Sequence, residues 1–436
     1  MKTPIDTAIV AKAIDESKVH NVQRASIREV VRLVNTIEKL SGTKFVRMEM
    51  GVPGINAEKV GVEAEIESLK RGVASIYPDI EGIKELKDEA SRFIKLFLDI
   101  NISPSGIVPT VGSMQGGFCA FLMCARRDVN KTTTLFIDPG FPVQKQQHKV
   151  LGIPVEQFDV YNYRGEKLAE KLESYLKTGK IASIVYSNPN NPSWICFTDD
   201  ELKTIGTLAK KYDVIVIEDL AYFGMDFRQD YSVPGQAPFQ PTVAKYTDNY
   251  MLMISSSKIF SYAGQRIGIL AISDTLYHRT FPDLKRYFTS DSFGFAAIYG
   301  ALYALSSGTC HSAQFALAAM FKAVNDGAAN LTASVKEYEK RASLMKELFV
   351  KYGFNIVYDT DLGRPLANGF YFTISYPGYT GGELVEELLP YGISAITLDI
   401  TGSERKEGLR ACVSQVRMEQ IPVLEERLKI FYENHK

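Results

Sequence analysis

Lys258 and Arg266 stand eight positions apart in the stretch SSSKIFSYAGQRIG (255–268), with the lysine behind three serines and ahead of two apolar residues. An ammonium in a partly dry setting loses proton affinity and becomes an amine that can attack a carbonyl carbon. A guanidinium keeps its charge and grips an anion through two parallel hydrogen bonds. The two types, close together and just before a strand-like run, raise the question of a covalent anchor with a fixed anion beside it.

Further polar groups recur at the ends of apolar runs. SNPNNP (187–192) follows one run, Glu218-Asp219 and then Ala221-Tyr222 follow another, and Ser255 to Lys258 follow a third. In IVPTVGSMQGGF, Gly112-Ser113-Met114 stands between a short strand and a helix. Each has an ordinary explanation taken singly: turn chemistry, a helix cap, a solvated lysine. Their joint occurrence, in this order and at strand ends, argues for chemistry. An aldehyde cofactor would suit the lysine. Pyridoxal phosphate carries an aldehyde, a phosphate, a phenolic oxygen and a ring nitrogen. Its phosphate wants a helix N-terminus, hydroxyls and an arginine, and its ring nitrogen wants a carboxylate.

The elements that must position these groups are legible as well. Residues 132–139, 181–189, 214–219, 250–255 and 266–273 read as buried strands, short and rich in Ile and Val. TDDELKTIGTLAKKYD (198–213) reads as a helix, with Thr198 and Glu201 as a capping box and Leu202, Ile205, Leu208 and Ala209 on one face. Alternation of strand and helix predicts an α/β fold, a mostly parallel sheet sandwiched by helices. In such sheets ligands bind outside the carboxyl ends of the strands. After about residue 310 two helices are followed by a strand-and-helix mix, the pattern of a smaller α+β domain. The expected division is a large domain over 57–326, a small domain from 18–56 and 327–436, and an N-terminal arm over 1–17.

The chain has 436 residues, 45% hydrophobic and 23% charged, with a net charge of -1. That composition gives no basic field for nucleic acid or an anionic membrane, and no apolar run reaches the roughly 18 residues of a membrane span. No secretory h-region is visible at the start. Five cysteines without a Cys-x-x-Cys predict reduced thiols in a cytoplasmic protein, and five scattered histidines predict no metal site.

As a set, the motifs resemble the fold type I pyridoxal-phosphate enzymes, specifically the class I/II aminotransferases. SSSKIFSYAGQRIG resembles their lysine motif, SNPNNP their Asn-Pro loop, and IEDLAYFGM their Asp-x-x-Tyr. SIYPDIEGIKELKDEAS resembles the early Tyr-x-x-x-x-Gly segment and GLRACVS the late arginine strand, in family order from about residue 45 to about 415. The resemblance implies a seven-stranded sheet in the large domain and pyridoxal 5'-phosphate as cofactor. It implies an amino group moved from an L-amino acid to a 2-oxo acid, by ping-pong chemistry through pyridoxamine phosphate. Another reaction on the same cofactor, a C–S β-lyase, a decarboxylase or a cyclising synthase, stays open. So does a non-enzymatic role, against which no helix-turn-helix or basic extension is visible.

Residue by residue, the resemblance makes Lys258, Asp219 and Tyr222 the catalytic groups. Lys258 would hold the cofactor covalently, Asp219 would pair with its ring nitrogen, and Tyr222 and Asn191 would bond its phenolic oxygen. Gly112, Ser113, Met114, Ser255, Ser257 and Arg266 would hold the phosphate, and Phe141 would stack on the ring. Tyr77 would reach the phosphate in a neighbouring subunit, which implies a homodimer with shared sites. Arg410 would take the substrate α-carboxylate, helped by Asn191 and Gly51. No metal is implied. The sequence departs from the family in two places. Ser193-Trp194 stands where Ser/Thr-Gly is usual, and Trp194 cannot take a positive φ cheaply, so a reshaped loop is expected. GVPG (51–54) replaces the common Gly-x-Pro-Asp. Both bear on which substrate is used.

Overall fold

The computed structural model describes residues 3–19 and 21–436. Two units divide the chain: one from Asn56 to Pro189 and from Cys196 to Ser334, the other formed by residues up to Ile55, Asn190–Ile195 and Val335 onward.

In the 56–334 unit seven strands form one sheet: β1 (Ile107–Thr110), β2 (Thr133–Asp138), β3 (Val155–Asp159), β4 (Ile181–Ser187), β5 (Ile215–Asp219), β6 (Tyr250–Ser255) and β7 (Gly268–Ile272). Their spatial order is β1-β7-β6-β5-β4-β2-β3. Every pairing is parallel except the two that β7 makes, with β1 and β6. Strands β2, β4, β5, β6 and β7 are buried along their whole length, because helices cover both faces. On one face, Phe121, Met123 and Cys124 of the helix Gly112–Arg126 pack with Ile217, Met251, Met253 and Leu270. The expected helix over 198–213 forms as Asp199–Lys211, with its capping box closed by Thr198 and Glu201. Register carries the polar strand ends to one edge: Ser187 lies opposite Asp219, Asp219 opposite Met253, and Ser255 opposite Gly268.

The other unit holds a four-stranded antiparallel sheet in the order Ile396–Thr397, Leu409–Cys412, Tyr371–Ser375, Asn355–Ile356. A separate parallel pair joins Val46–Arg47 to Ile393–Ser394. Helices Ile27–Ser41, Glu337–Lys351, Gly381–Leu388 and Ile421–Asn434 bury Leu33, Val34, Phe349, Leu384 and Phe431 with Phe372, Ile374 and Leu409 of the strands. Thr7–Ser17 is a helix that packs Val10 and Ala13 into this same core.

The units part after Ser334, beyond the residue 326 read from the helical pattern. The intervening stretch is tied to the sheet unit: Asn330 Nδ2 donates to Ser232 Oγ (2.9 Å) and Ser334 Oγ to Glu58 Oε1 (2.8 Å). Its helix begins only at Glu337. Upstream, the Asn330 side chain accepts from the Thr332 N–H (3.0 Å), a local turn that competes with helix.

Candidate active site

In the 56–334 unit, β5 ends on two acids whose side chains leave opposite faces of the strand. Glu218 accepts from Tyr186 Oη (3.1 Å), Thr242 Oγ1 (2.5 Å) and the Val243 N–H (3.2 Å). Burial pushes its carboxyl up to about 7, against those bonds. Asp219 accepts from Gln144 Nε2 (2.9 Å) and the Ala221 N–H (3.1 Å). Burial pushes its carboxyl up to about 6; the Ala221 and Gln144 bonds oppose the shift, and no basic side chain among the described residues contributes. A buried carboxylate in want of a cation is a match for a protonated ring nitrogen.

Next to it, β6 runs into the short helix Ser256–Ile259, which carries the partly buried Lys258. Ser255 caps that helix, its Oγ accepting from the Ser257 N–H (3.1 Å), and Ser256 Oγ donates to the Ile267 carbonyl (2.6 Å). Those bonds fix where the lysine leaves the chain. Arg266 takes left-handed φ 51, its side chain exposed, with Nη1 donating to the Ala263 carbonyl (2.8 Å). Its guanidinium lies over Gly112, where a Cβ would come within 2.5 Å of Nη2, and Gly112 itself has φ 61. Only glycine allows both. Gly112 opens the helix Gly112–Arg126, and the N-cap, Val111, has no side-chain acceptor to offer the first turn. Gly268, paired with Ser255, lies against the Ser113 amide. Gly112, Ser113, Ser255 and Arg266 therefore stand together, and a helix N-terminus beside a guanidinium can hold a phosphate.

Phe141 precedes the helix Pro142–Leu151, and its carbonyl accepts from the Gln144 N–H (3.1 Å). The same helix places Gln147, whose Nε2 donates to the Met114 carbonyl (2.7 Å). Tyr222 is buried in the turn after β5. Tyr77 is 91% exposed. Gln144 is absent from the sequence reading. One turn beyond Phe141, it shares the buried side of its helix with Gln147 and His148, and that run of polar groups was the available signal, but register with Asp219 is a property of the fold.

In the other unit, Arg410 sits within the strand Leu409–Cys412, 1% exposed. Its Nη2 donates to the Glu49 carbonyl (2.7 Å), its Nη1 to Asn191 Oδ1 (3.4 Å), and its Cζ lies 4.7 Å over the Tyr371 ring. The Glu49 carboxylate is spent on Arg47 Nη2 (2.8 Å) and Ser394 Oγ (2.6 Å). Arg410 pairs with no carboxylate among the described residues, and its buried Nε has no bond there. A buried guanidinium seated on a carbonyl, an amide and an aromatic face is a group that can receive a carboxylate. Gly51 lies against the Tyr371 hydroxyl, where a side chain would have no room.

Trp194 corrects the expectation drawn for it. It does take the left-handed conformation, with φ 63. Its loop stays tight, closed by Asn190 N–H to the Ile195 carbonyl (2.9 Å) and Trp194 N–H to the Asn190 carbonyl (3.0 Å). The indole is 1% exposed, packed on Gly369 and edge-on to Tyr371 at 6.1 Å. Burial of that large ring offsets a backbone cost of about 1–2 kcal/mol.

A family model described as aminotransferase class I and II matches residues 52–428. A probable aspartate aminotransferase of Methanocaldococcus jannaschii is 24% identical over 296 residues, covering 66% of this chain and 72% of that protein. The putative aminotransferase YugH of Bacillus subtilis is 24% identical over 418 residues, 95% of this chain and 97% of its own. Among solved structures, an aminotransferase from Mycobacterium tuberculosis matches with a TM-score of 0.74 at 18% identity, over 94% of this chain and 96% of that one. At that identity the structural likeness speaks for the fold.

Proposed function

The chain belongs to the class I and II aminotransferases, and we propose that it moves an amino group from an L-amino acid to a 2-oxo acid with pyridoxal phosphate held in the 56–334 unit. The observation that carries this reading is Asp219: a buried carboxylate without a basic partner among the described residues, at the end of the strand beside the one that leads into Lys258. When bound, the cofactor supplies an electron sink for the bond broken at the substrate Cα.

The chain's own groups do the rest. Asp219 keeps a proton on the ring nitrogen. Gly112, Ser113, the Met114 N–H, Ser255, Ser257 and Arg266 hold the phosphate, so the ring keeps its place through the reaction. Phe141 stacks on the ring, and Tyr222 and Asn191 bond its phenolic oxygen. The Lys258 amine anchors the aldehyde when idle; when free, it takes the proton from the substrate Cα and returns one, as base and then acid. Arg410, with Asn191 and the Gly51 backbone, takes the α-carboxylate. The two half-reactions use the same groups in opposite order, which is ping-pong behaviour.

Exposed Ile76, Tyr77, Phe295 and Tyr303 leave apolar surface on the 56–334 unit, and they support a second copy as partner, with Tyr77 serving the neighbour's phosphate. All five cysteines are free and four of them buried, in keeping with a cytoplasmic setting. No helix among the described residues is long and apolar enough to cross a membrane.

The test is an absorbance titration of the purified holoenzyme. An amino acid should convert the cofactor band in a single turnover, and a 2-oxo acid should restore it. Release of ammonia or carbon dioxide without that reversal would replace transamination by elimination or decarboxylation.

A further inference from the structure

The unit that carries Arg410 also has an open cleft of about 500 Å³, a size usual for small-molecule sites. Its lining includes Trp194, Tyr358, Tyr371, Phe372 and Leu366, and one cation inside, Lys346. The other charged groups of the lining are otherwise placed. Lys351 Nζ bonds Glu425 Oε1 (2.6 Å), Glu347 is exposed and accepts from Ser343 Oγ (3.2 Å), and Asp359 is exposed. Lys346 is partly buried on the inner side of the helix Glu337–Lys351. Burial lowers its ammonium below the lysine value of 10.5, and no carboxylate among the described residues offsets it. An aromatic cleft with an uncompensated ammonium on its wall selects for a ligand that is apolar at one end and anionic at the other.

We propose that this cavity binds an apolar carboxylate, its ring or alkyl chain against Trp194, Tyr358 and Tyr371 and its carboxylate on Lys346. The chemistry has two possible sources, a free acid or the side chain of a molecule whose α-carboxylate is already on Arg410. Tyr371 belongs to both places, since the ring that lines the cavity also carries the Arg410 guanidinium. Occupancy is therefore felt at the platform on which Arg410 rests. The site does not depend on transamination and stands or falls separately.

Trp194 is the single tryptophan of the chain, so the protein's indole emission reports the cavity directly. The probe is 4-phenylbutyrate, titrated into the holoenzyme, with 4-phenylbutyramide as its uncharged counterpart. A saturable change in emission is expected, at least tenfold weaker in Lys346→Met and in Lys346→Gln, while the amide binds wild type and variants alike. Retention of the titration in Arg410→Ala, with its loss in Lys346→Met, assigns the probe's single carboxylate to Lys346; loss in Arg410→Ala with retention in Lys346→Met places it on Arg410 and overturns the proposal. Absence of saturable quenching, or a titration that both Lys346 variants leave unchanged, overturns the proposal.

Discussion

The residues assigned to the cofactor and those assigned to the substrate carboxylate are held in place by different means. In the 56–334 unit, Asp219, Ser255 and Lys258 sit at the ends of neighbouring strands buried along their length, and strand register aligns them. In the other unit, Arg410 is seated by a backbone carbonyl, an amide from a six-residue loop, Asn190–Ile195, and the face of Tyr371. The first arrangement tolerates little change, because moving one strand moves the others. The second can be retuned by single side chains. Common chemistry carried by a sheet and variable recognition carried by a loop is the division of labour this contrast teaches.

The comparison breaks most visibly at Lys258. Lys258→Ala should lower kcat by at least about 10²–10⁴-fold, the range of a lost general base, with further loss from the missing covalent anchor. Because the phosphate and ring-nitrogen partners remain, the cofactor should still bind, with a shifted absorbance. A Lys258→Ala protein that turns over normally would remove the sheet unit from the chemistry.

Arg410→Ala should cost less and act elsewhere. Truncating a buried charge that meets a carboxylate removes about 2–5 kcal/mol, read as a fall in kcat/KM for α-carboxylate substrates. Cofactor absorbance should stay as in wild type, and amines without a carboxylate should react as before. A change in the cofactor band would show that the two regions are not separable in the way argued.

How far sequence reached follows the same contrast. The five long apolar runs, the capping box at Thr198 and the strand-end placement of Asp219 and Lys258 were legible, because burial on both faces forces continuous Ile/Val runs that stop where polar residues begin. The antiparallel direction of β7 was not, since direction leaves no mark on a buried run. Gln144 was missed because its partner, Asp219, is 75 positions away. The conformation of Trp194 was misjudged because a propensity at one position was weighed without the ring's burial against Gly369.

A third expectation concerns pH and belongs to the sheet unit. Asp219 is raised from 3.8 to about 6 by burial, so the folded protein holds that proton more tightly than the unfolded chain. Its contribution to stability is full below about 3.8 and is lost as pH rises through about 6. Cofactor-free Asp219→Asn should therefore gain on wild type between pH 4 and pH 7 by about 2–3 kcal/mol, followed by denaturant melts across that range. Glu218, raised from 4.5 to about 7, shifts both proteins alike and drops out of the difference. Saturating pyridoxal phosphate should shrink the gain, since its ring cation compensates Asp219 in wild type only. A stability gap that ignores pH would mean that Asp219 is not the buried, uncompensated acid described here.

The smallest effect separates backbone from side chain in the loop. Trp194→Gly and Trp194→Ala both delete the buried indole, but at φ 63 only glycine is relaxed. The glycine variant should be the more stable by about 0.5–1 kcal/mol, the reverse of the usual order of the two residues. Gly369 sharpens the point, since a Cβ there runs into the indole. Gly369→Ala should destabilise wild type and do nothing in the Trp194→Gly background, a coupling that a double-mutant cycle reads directly. Were Gly369→Ala equally costly in both, the ring would not be what fills that space. The loop would then owe its shape to its own hydrogen bonds, and the contrast between a rigid sheet and a side-chain-tuned recognition loop would lose its basis.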